Sequence, residues 1–212
     1  MQFEDFIEYV EDHCTAHGMK FIKGERSVTY PGSDSPCNGY FDGNCNPPVL
    51  ASALEAPEAF TILVHEFCHS MQFLENCVIW QRHLPTEEQK KKYGECSDDI
   101  LFHWVDGKIE VPEQELDSIF NGIIGVELDC EKRVVKLIDE LNLDIDKDLY
   151  IQRANAYVYF YLYLRKYRKW YSIDKEPYNI SDVYVLMPTD FETLTYTGKI
   201  DPFFEGLFKT YC

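Results

Sequence analysis

The residues best suited to chemistry are His65, Glu66 and His69, which form a His-Glu-x-x-His run. Two histidines four residues apart on a helix lie on one face, so both imidazoles can reach one tetrahedral Zn²⁺. Glu66 follows the first histidine and points to the side of the metal where a water would sit. Zinc lowers the pKa of that water towards about 7, and a carboxylate can accept its proton. The run predicts a zinc hydrolase with His65 and His69 as ligands and Glu66 as the general base.

A buried helix with incidental polar residues is the alternative interpretation of this run. Apolar residues surround it on both sides: Ile62, Leu63, Val64, Phe67, Met71, Phe73 and Leu74. Three polar side chains in such a helix would be costly without partners, and a metal ion supplies one. The context therefore favours the zinc site. Cys68 lies inside the run, but no separate base is indicated that would make it a nucleophile.

A catalytic zinc site needs a third protein ligand and an open position for water. Glu127 and Glu131 lie four residues apart on a predicted later helix, so they share a face, which could also be simply solvated. We expect Glu127 to bind zinc and Glu131 to orient a ligand imidazole, and the alternative of Glu131 as the ligand stays open. Glu75 is a weaker alternative, because without a glycine at position 72 the helix would continue and turn Glu75 away. Asp129 lies about 200° around the helix from Glu127 and cannot easily share the site.

The His-Glu-x-x-His run, followed by Glu127-x-x-Cys130-Glu131, resembles the gluzincin metallopeptidases. It is most similar to the small cytoplasmic phage and bacterial peptidases of the ImmA/IrrE type. In that family the zinc-binding glutamate begins a Glu-x-x-Ala run, and here Cys130 replaces the alanine. Glu127 follows His69 by 58 positions, which is longer than in compact members and implies an inserted segment at about 82–111.

The resemblance covers about residues 50–140 and implies a zincin-like fold, one Zn²⁺ per chain and cleavage of a protein or peptide substrate. It also implies a strand before the active-site helix that pairs with extended substrate, here Val49–Leu54. Two other functions stay open: an inactive zinc-binding or protein-interaction module on the same scaffold, and a zinc amidohydrolase that does not cleave peptides. Glu66 argues against the first of these, since a structural zinc site needs no general base. The second lacks the further cysteine and glutamine motifs of a deformylase.

A peptidase also needs a hydrogen-bond donor for the oxyanion that forms during attack. His103, Tyr157, Tyr159 and Arg153 are the candidates for this role. A histidine beside Trp104 can equally be an ordinary core residue. Tyrosines on a helix commonly pack with a wet hydroxyl.

The elements that must position these residues follow from hydrophobic spacing. Helices are predicted at about 2–17, 59–82, 98–105, 112–141, 146–169 and 203–209. Strands are predicted as a hairpin of 21–23 with 27–30, and singly at 39–41 and 49–54. The alternating tyrosines of 157–163 also fit a strand, but their flanks favour a helix.

The expected fold is α+β and zincin-like, with a small N-terminal β-sheet packed on the active-site helix and a mainly helical C-terminal half. One domain is expected over 1–212, with an α/β part at about 1–84 and a helical part at about 97–212. Hydrophobic residues make up 45% of the 212, enough for a sizeable core.

The charge balance and the cysteines indicate the environment of the chain. The net charge of −17 repels phosphates, so nucleic acid is not an expected partner. No secretory signal and no apolar run of about 20 residues is present, which predicts a cytoplasmic protein without a membrane partner. The eight cysteines include no Cys-x-x-Cys pair, so free buried thiols are expected. Cys37 and Cys45 flank a loop and are the one pair that suggests a disulfide.

Overall fold

The computed structural model describes residues 1–30, 36–94, 96–172 and 175–212. The chain divides into two compact units, Met1–Cys77 with Cys130–Asp146, and Val78–Asp129 with Lys147–Cys212. The first unit contains a small sheet, and most of the chain is helical. The predicted α+β class is therefore confirmed.

The first unit is built on a three-stranded sheet in the order β1-β5-β4. Strand β1 (Lys20–Gly24) pairs in parallel with β5 (Val49–Ala53), and β5 pairs antiparallel with β4 (Gly39–Asp42). All five residues of β5 are buried, as befits the central strand. Because β5 is paired on both sides, the prediction that Val49–Leu54 pairs with substrate is wrong. The terminal strand on that side of the described sheet is β4.

The predicted hairpin of residues 21–23 and 27–30 is also wrong. Strand β1 takes β5 as its partner, and β2 (Val28–Thr29) pairs antiparallel with β3 (Pro36–Cys37). Both strands thus find partners later in the chain. The local turn at residues 24–26 suggested that β1 would pair with residues 27–30. Strand β1 pairs instead with the buried central strand β5.

Two helices of the first unit pack together through aromatic residues. Helix α1 (Phe3–Ala16) buries Phe6, and helix α2 (Ala59–Glu75) buries Phe67, with the two ring centroids 5.7 Å apart. Helix α2 also packs on β4 and β5, as predicted for the active-site helix. The helix was expected to continue to about residue 82. It ends instead because Asn76 adopts the left-handed conformation (φ 47°), which an asparagine tolerates.

The second unit is formed by helices joined by irregular segments. Its helices are α3 (Val78–His83), α4 (Glu87–Tyr93), α5 (Ser97–Val105), α6 (Glu113–Leu141, whose residues from 130 onward belong to the first unit), α7 (Lys147–Tyr167), α8 (Ser181–Tyr184) and α9 (Pro202–Tyr211). The tyrosine-rich segment is thus a helix, as predicted. Among the described helices, none has both the length and the apolar character needed to cross a membrane.

The segment after α7 is fixed to that helix by two amide side chains. Asn155 is fully buried, and its Nδ2 donates to the carbonyls of Pro188 and Asp190 at 2.8 and 2.9 Å. The hydroxyl of Tyr196 donates to Asn155 Oδ1. One turn earlier, Gln152 Nε2 donates to the carbonyl of Val185 at 3.2 Å. The amide side chains thus supply hydrogen bonds to backbone carbonyls that, in an irregular segment, have no partner in a helix or sheet.

All eight cysteines lie in described parts of the chain, and none of them forms a disulfide there. The expectation that they are buried holds for four of them and is wrong for the other four, Cys37, Cys45, Cys77 and Cys96, which are only partly buried. Cys37 and Cys45 do not form a disulfide. The Cys37 thiol donates to the Val28 carbonyl at 3.6 Å, and the Cys45 thiol donates to Asp42 Oδ2 at 3.2 Å.

Candidate metal centre

His65 and His69 lie one turn apart on α2 and direct their Nε2 atoms towards each other. The two Nε2 atoms are 3.0 Å apart, and the ring planes cross at 86°. Two nitrogen ligands of a tetrahedral zinc ion, each bonded at about 2.0–2.1 Å, are separated by about 3.3 Å. The spacing of this pair is therefore close to that of two ligands of one ion.

The Nδ1 atoms of the same two rings face acceptors. His65 Nδ1 lies 3.3 Å from Glu131 Oε1, and His69 Nδ1 lies 2.8 Å from Gln72 Oε1. If these oxygens accept from Nδ1, each ring leaves its Nε2 lone pair for a ligand. A cation between the two Nε2 atoms would then be bound by both rings. The donor pair thus fits a metal ion.

Gln72 is a functional candidate that sequence reasoning missed. It is fully buried on α2, three residues after His69, where a helix brings two side chains together. The sequence analysis used position 72 only as evidence that a glycine is absent. A polar residue at this spacing from a ligand histidine, within an apolar helix, was the available signal.

Cys130 and Glu131 come to the same place from α6, within the first unit. Glu131 is only 3% exposed. The Cys130 thiol donates to the His65 carbonyl at 3.3 Å and lies 3.6 Å from His65 Nδ1. The ligand atoms of His65, His69 and Cys130 all lie within 4.8 Å of one another, so these three residues can hold a metal ion. The sequence analysis had treated Cys130 only as a small residue in place of alanine.

Glu127 lies one turn earlier than Glu131 on α6, in the second unit. Because Glu127 and Glu131 are four residues apart on one continuous helix, they lie on one face of it, as predicted. Within the second unit, Tyr157 and Tyr161 lie near Glu127. Burial, and then the charge of Glu127, raises the pKa of both hydroxyls well above the usual value. These hydroxyls, 3.0 Å apart, therefore stay protonated and can donate.

Glu66 extends from α2 over the beginning of β4. A Cβ atom at Gly39 would lie 3.0 Å from Glu66 Cγ and 2.7 Å from Ile62 Cγ2. Burial, and then the charge of Glu66, raises the pKa of the Cys37 thiol. The carboxylate thus lies near the terminal strand of the sheet, and Gly39 gives it room.

The other candidates have structural partners. His103 Nδ1 lies 3.4 Å from the Tyr93 carbonyl, and the Tyr159 hydroxyl accepts from Asp201 N at 3.1 Å. The Arg153 guanidinium lies 5.0 Å from the centre of the Tyr184 ring. All of these contacts lie within the second unit. In the first unit, Glu75 pairs with Arg133 at 2.8 Å, and Cys68 is fully buried.

The first unit therefore brings His65, His69, Cys130 and Glu131 together as potential metal ligands, with Glu66 on the same helix as the histidines. Their chemistry, two imidazoles with a thiol and a carboxylate, suits a divalent transition metal better than Mg²⁺ or Ca²⁺. Comparisons of the chain with protein-family models, with curated proteins and with solved structures found no match.

Proposed function

We propose that this chain is a zinc-dependent peptidase, as are the cytoplasmic gluzincins that its sequence resembles. The facing Nε2 atoms of His65 and His69, 3.0 Å apart, are the observation that carries the proposal. His65 and His69 are the metal ligands, and Glu66 is the general base. A zincin-like fold accompanies this proposal, supported by a sheet that packs on the histidine-bearing helix.

Glu127 is the proposed third ligand. Helix α6 runs without interruption from Glu113 to Leu141, so Glu127 and Glu131 occupy successive turns of one face. Glu131 already engages His65 through Nδ1, the nitrogen that does not bind the ion. A glutamate one turn away is then suited to the ion itself. Such an arrangement leaves a coordination position for water.

A bound divalent cation would polarise the substrate carbonyl and make a water more acidic. Glu66 accepts the proton of the attacking water and passes it to the leaving amine as the peptide C–N bond breaks. Glu131 and Gln72 accept hydrogen bonds from the ligand rings and so keep both in the tautomer that binds metal. Tyr157, whose hydroxyl stays protonated, is the proposed donor to the oxyanion.

Strand β4 supports a peptide as the substrate. It is one of the two terminal strands of the described three-stranded sheet, and a terminal strand can bind an extended peptide through main-chain hydrogen bonds. Glu66 packs over Gly39, the first residue of this strand. A peptide paired with β4 would pass close to the general base. This favours peptide hydrolysis over the hydrolysis of a small amide.

Zinc content and proteolysis test the proposal together. We expect one zinc per chain in the wild type and in Glu66→Gln, loss of zinc in His65→Ala, and weaker binding in Glu127→Ala. New protein termini should appear when a bacterial lysate is incubated with the wild type and not with Glu66→Gln.

Each contrary result has a distinct meaning. If the wild type binds zinc but produces no new termini that depend on Glu66, the chain is a zinc-binding module and the peptidase proposal is wrong. A wild type without zinc after reconstitution would remove the metal centre altogether. Full zinc affinity in Glu127→Ala would move the third ligand to another residue.

A further inference from the structure

We propose that Cys130 is a ligand of the same metal ion, so that the first unit alone supplies a histidine, histidine and thiolate donor set. This inference rests on the metal centre proposed above and adds a fourth protein ligand to it, so that the water would occupy a fifth coordination position, which zinc can adopt. Its basis is that the ligand atoms of His65, His69 and Cys130 lie within 4.8 Å of one another. All three residues belong to the first unit.

The thiol lies against one of the ligand rings. Cys130 Sγ lies 3.6 Å from His65 Nδ1 and 3.3 Å from the His65 carbonyl oxygen. Because Nε2 is the His65 nitrogen proposed to bind the ion, coordination requires the thiol to leave the carbonyl and turn towards the Nε2 side of the ring. The S–H proton leaves to solvent as the sulfur–metal bond forms.

The setting of Cys130 favours coordination over a purely structural thiol. The residue is fully buried, and helix α6 carries it against the same ring whose Nδ1 faces Glu131. Cys68 makes a natural comparison, because it is equally buried and lies within the His-Glu-x-x-His run, yet it belongs to no group of potential ligands among the described residues.

A thiolate ligand changes which ions the centre prefers. Sulfur is a softer donor than a carboxylate oxygen, so the centre should favour Zn²⁺, Co²⁺ and Cd²⁺ over Mn²⁺ and Mg²⁺. Replacement of Cys130 should reduce the affinity for Cd²⁺ by about tenfold or more, since even residues that only support ligands commonly contribute that much. The affinity for Mn²⁺ should change less.

Absorption spectroscopy of the cobalt-substituted full chain tests this directly. Co²⁺ bound to a thiolate gives a sulfur-to-cobalt charge-transfer band in the near ultraviolet, separate from the visible ligand-field bands. We expect the wild type and the control Cys68→Ala to show both, and Cys130→Ala and Cys130→Ser to lose the charge-transfer band and keep the visible bands. The serine variant keeps the size of the side chain, and circular dichroism establishes that both variants fold.

The outcomes separate the two proposals. Visible bands that depend on His65 and His69, without a charge-transfer band in the wild type, would overturn the role of Cys130 and leave the metal centre standing. A charge-transfer band that survives in both Cys130 variants would assign the thiolate to another cysteine and equally overturn it. Failure of the wild type to bind Co²⁺ at all would overturn both.

Discussion

The side chain of Glu66 fills the space beside Gly39 in which any larger residue would place its Cβ atom. That Cβ would meet Glu66 Cγ at 3.0 Å and Ile62 Cγ2 at 2.7 Å, and the latter distance is closer than carbon atoms pack. The strand beside Glu66 therefore needs a glycine because of close approach, and not because of its backbone conformation. The position of Glu66 depends on a residue far from it in the sequence.

Replacement of Gly39 by alanine should displace Glu66 and slow peptide hydrolysis by about 10- to 100-fold, since misplacement by about 1 Å can cost that much. Zinc content should stay at the wild-type level, because the atoms nearest to the added Cβ belong to Ile62, Glu66 and Ala51 and not to either histidine. The matched control is Gly206→Ala on α9, where an added Cβ meets nothing within 4 Å. Hydrolysis rates and zinc content measured on both variants provide the check. A Gly39→Ala variant as fast as Gly206→Ala would show that Glu66 tolerates the shift.

Replacement of Glu131 by glutamine should weaken zinc binding by about 10- to 100-fold, the usual effect of losing a carboxylate that orients a ligand histidine. The reason is that Glu131 Oε1 lies 3.3 Å from His65 Nδ1, where it would fix the tautomer of that ring for metal binding. Competition with a chromophoric chelator measures the affinity. Glu140→Gln, which alters an exposed residue of the same helix paired with Lys136, serves as the control. Equal affinities in the two variants would remove Glu131 from the centre.

Local sequence periodicity predicted the parts of the centre that a single helix arranges. The four-residue spacing of His65 with His69, and of Glu127 with Glu131, predicted that each pair lies on one face of a helix. Each pair does lie on one face, of α2 and α6 respectively. Periodicity did not predict the break at Asn76, because an asparagine in the left-handed conformation is compatible with either a helix end or a continuing polar face.

The contacts that tertiary packing creates could not be predicted from the sequence. Nothing local to Gly39 indicates that Glu66 will pack over it, and nothing local to Cys130 indicates that it will meet His65. The parallel pairing of β1 with β5 is of the same kind, because the register depends on strands separated by a long connection. A short local turn therefore suggested a hairpin that the sheet does not contain.

Replacement of Asn155 by alanine should lower the free energy of unfolding by about 2–4 kcal/mol, because it leaves the partly buried carbonyls of Pro188 and Asp190 and the buried hydroxyl of Tyr196 without these hydrogen bonds. Urea denaturation measures the change. Gln152→Ala is the comparison, since Gln152 is less buried and its loss should cost less. A loss below about 1 kcal/mol for Asn155→Ala would mean that water replaces these bonds.

His13 should make the stability of the chain fall in mild acid. Burial, and then the charge of His17, lowers the pKa of His13 from 6.5, so below that pH the unfolded chain binds the proton more readily than the folded one. The stabilising contribution is complete above 6.5 and decreases as the pH falls from 6.5 through the lower pKa of the folded state.

Urea denaturation from about pH 7 to about pH 5 tests this effect of His13. The loss of stability should be smaller in His13→Phe, which keeps an aromatic ring against Phe67, whose ring centroid lies 4.7 Å from that of His13. His17→Gln removes the charge of His17 and keeps the burial of His13, so the pKa of His13 stays lowered in part. The loss of stability in acid should therefore be reduced less by His17→Gln than by His13→Phe. An unchanged pH profile in His13→Phe would contradict this account.

Helix α6 also bears on how the chain assembles. The first unit is interrupted in sequence, since residues 78–129 intervene before Cys130–Asp146 return to it. His65 and Cys130 are 65 positions apart, so bringing them together closes a long loop and loses chain entropy. The proposed ion, held by residues at both ends of that loop, would stabilise the closed loop, because its binding energy becomes available only after the ends have met. During synthesis, the histidines would leave the ribosome well before their partners on α6, and metal loading would be a late event that locks the loop closed.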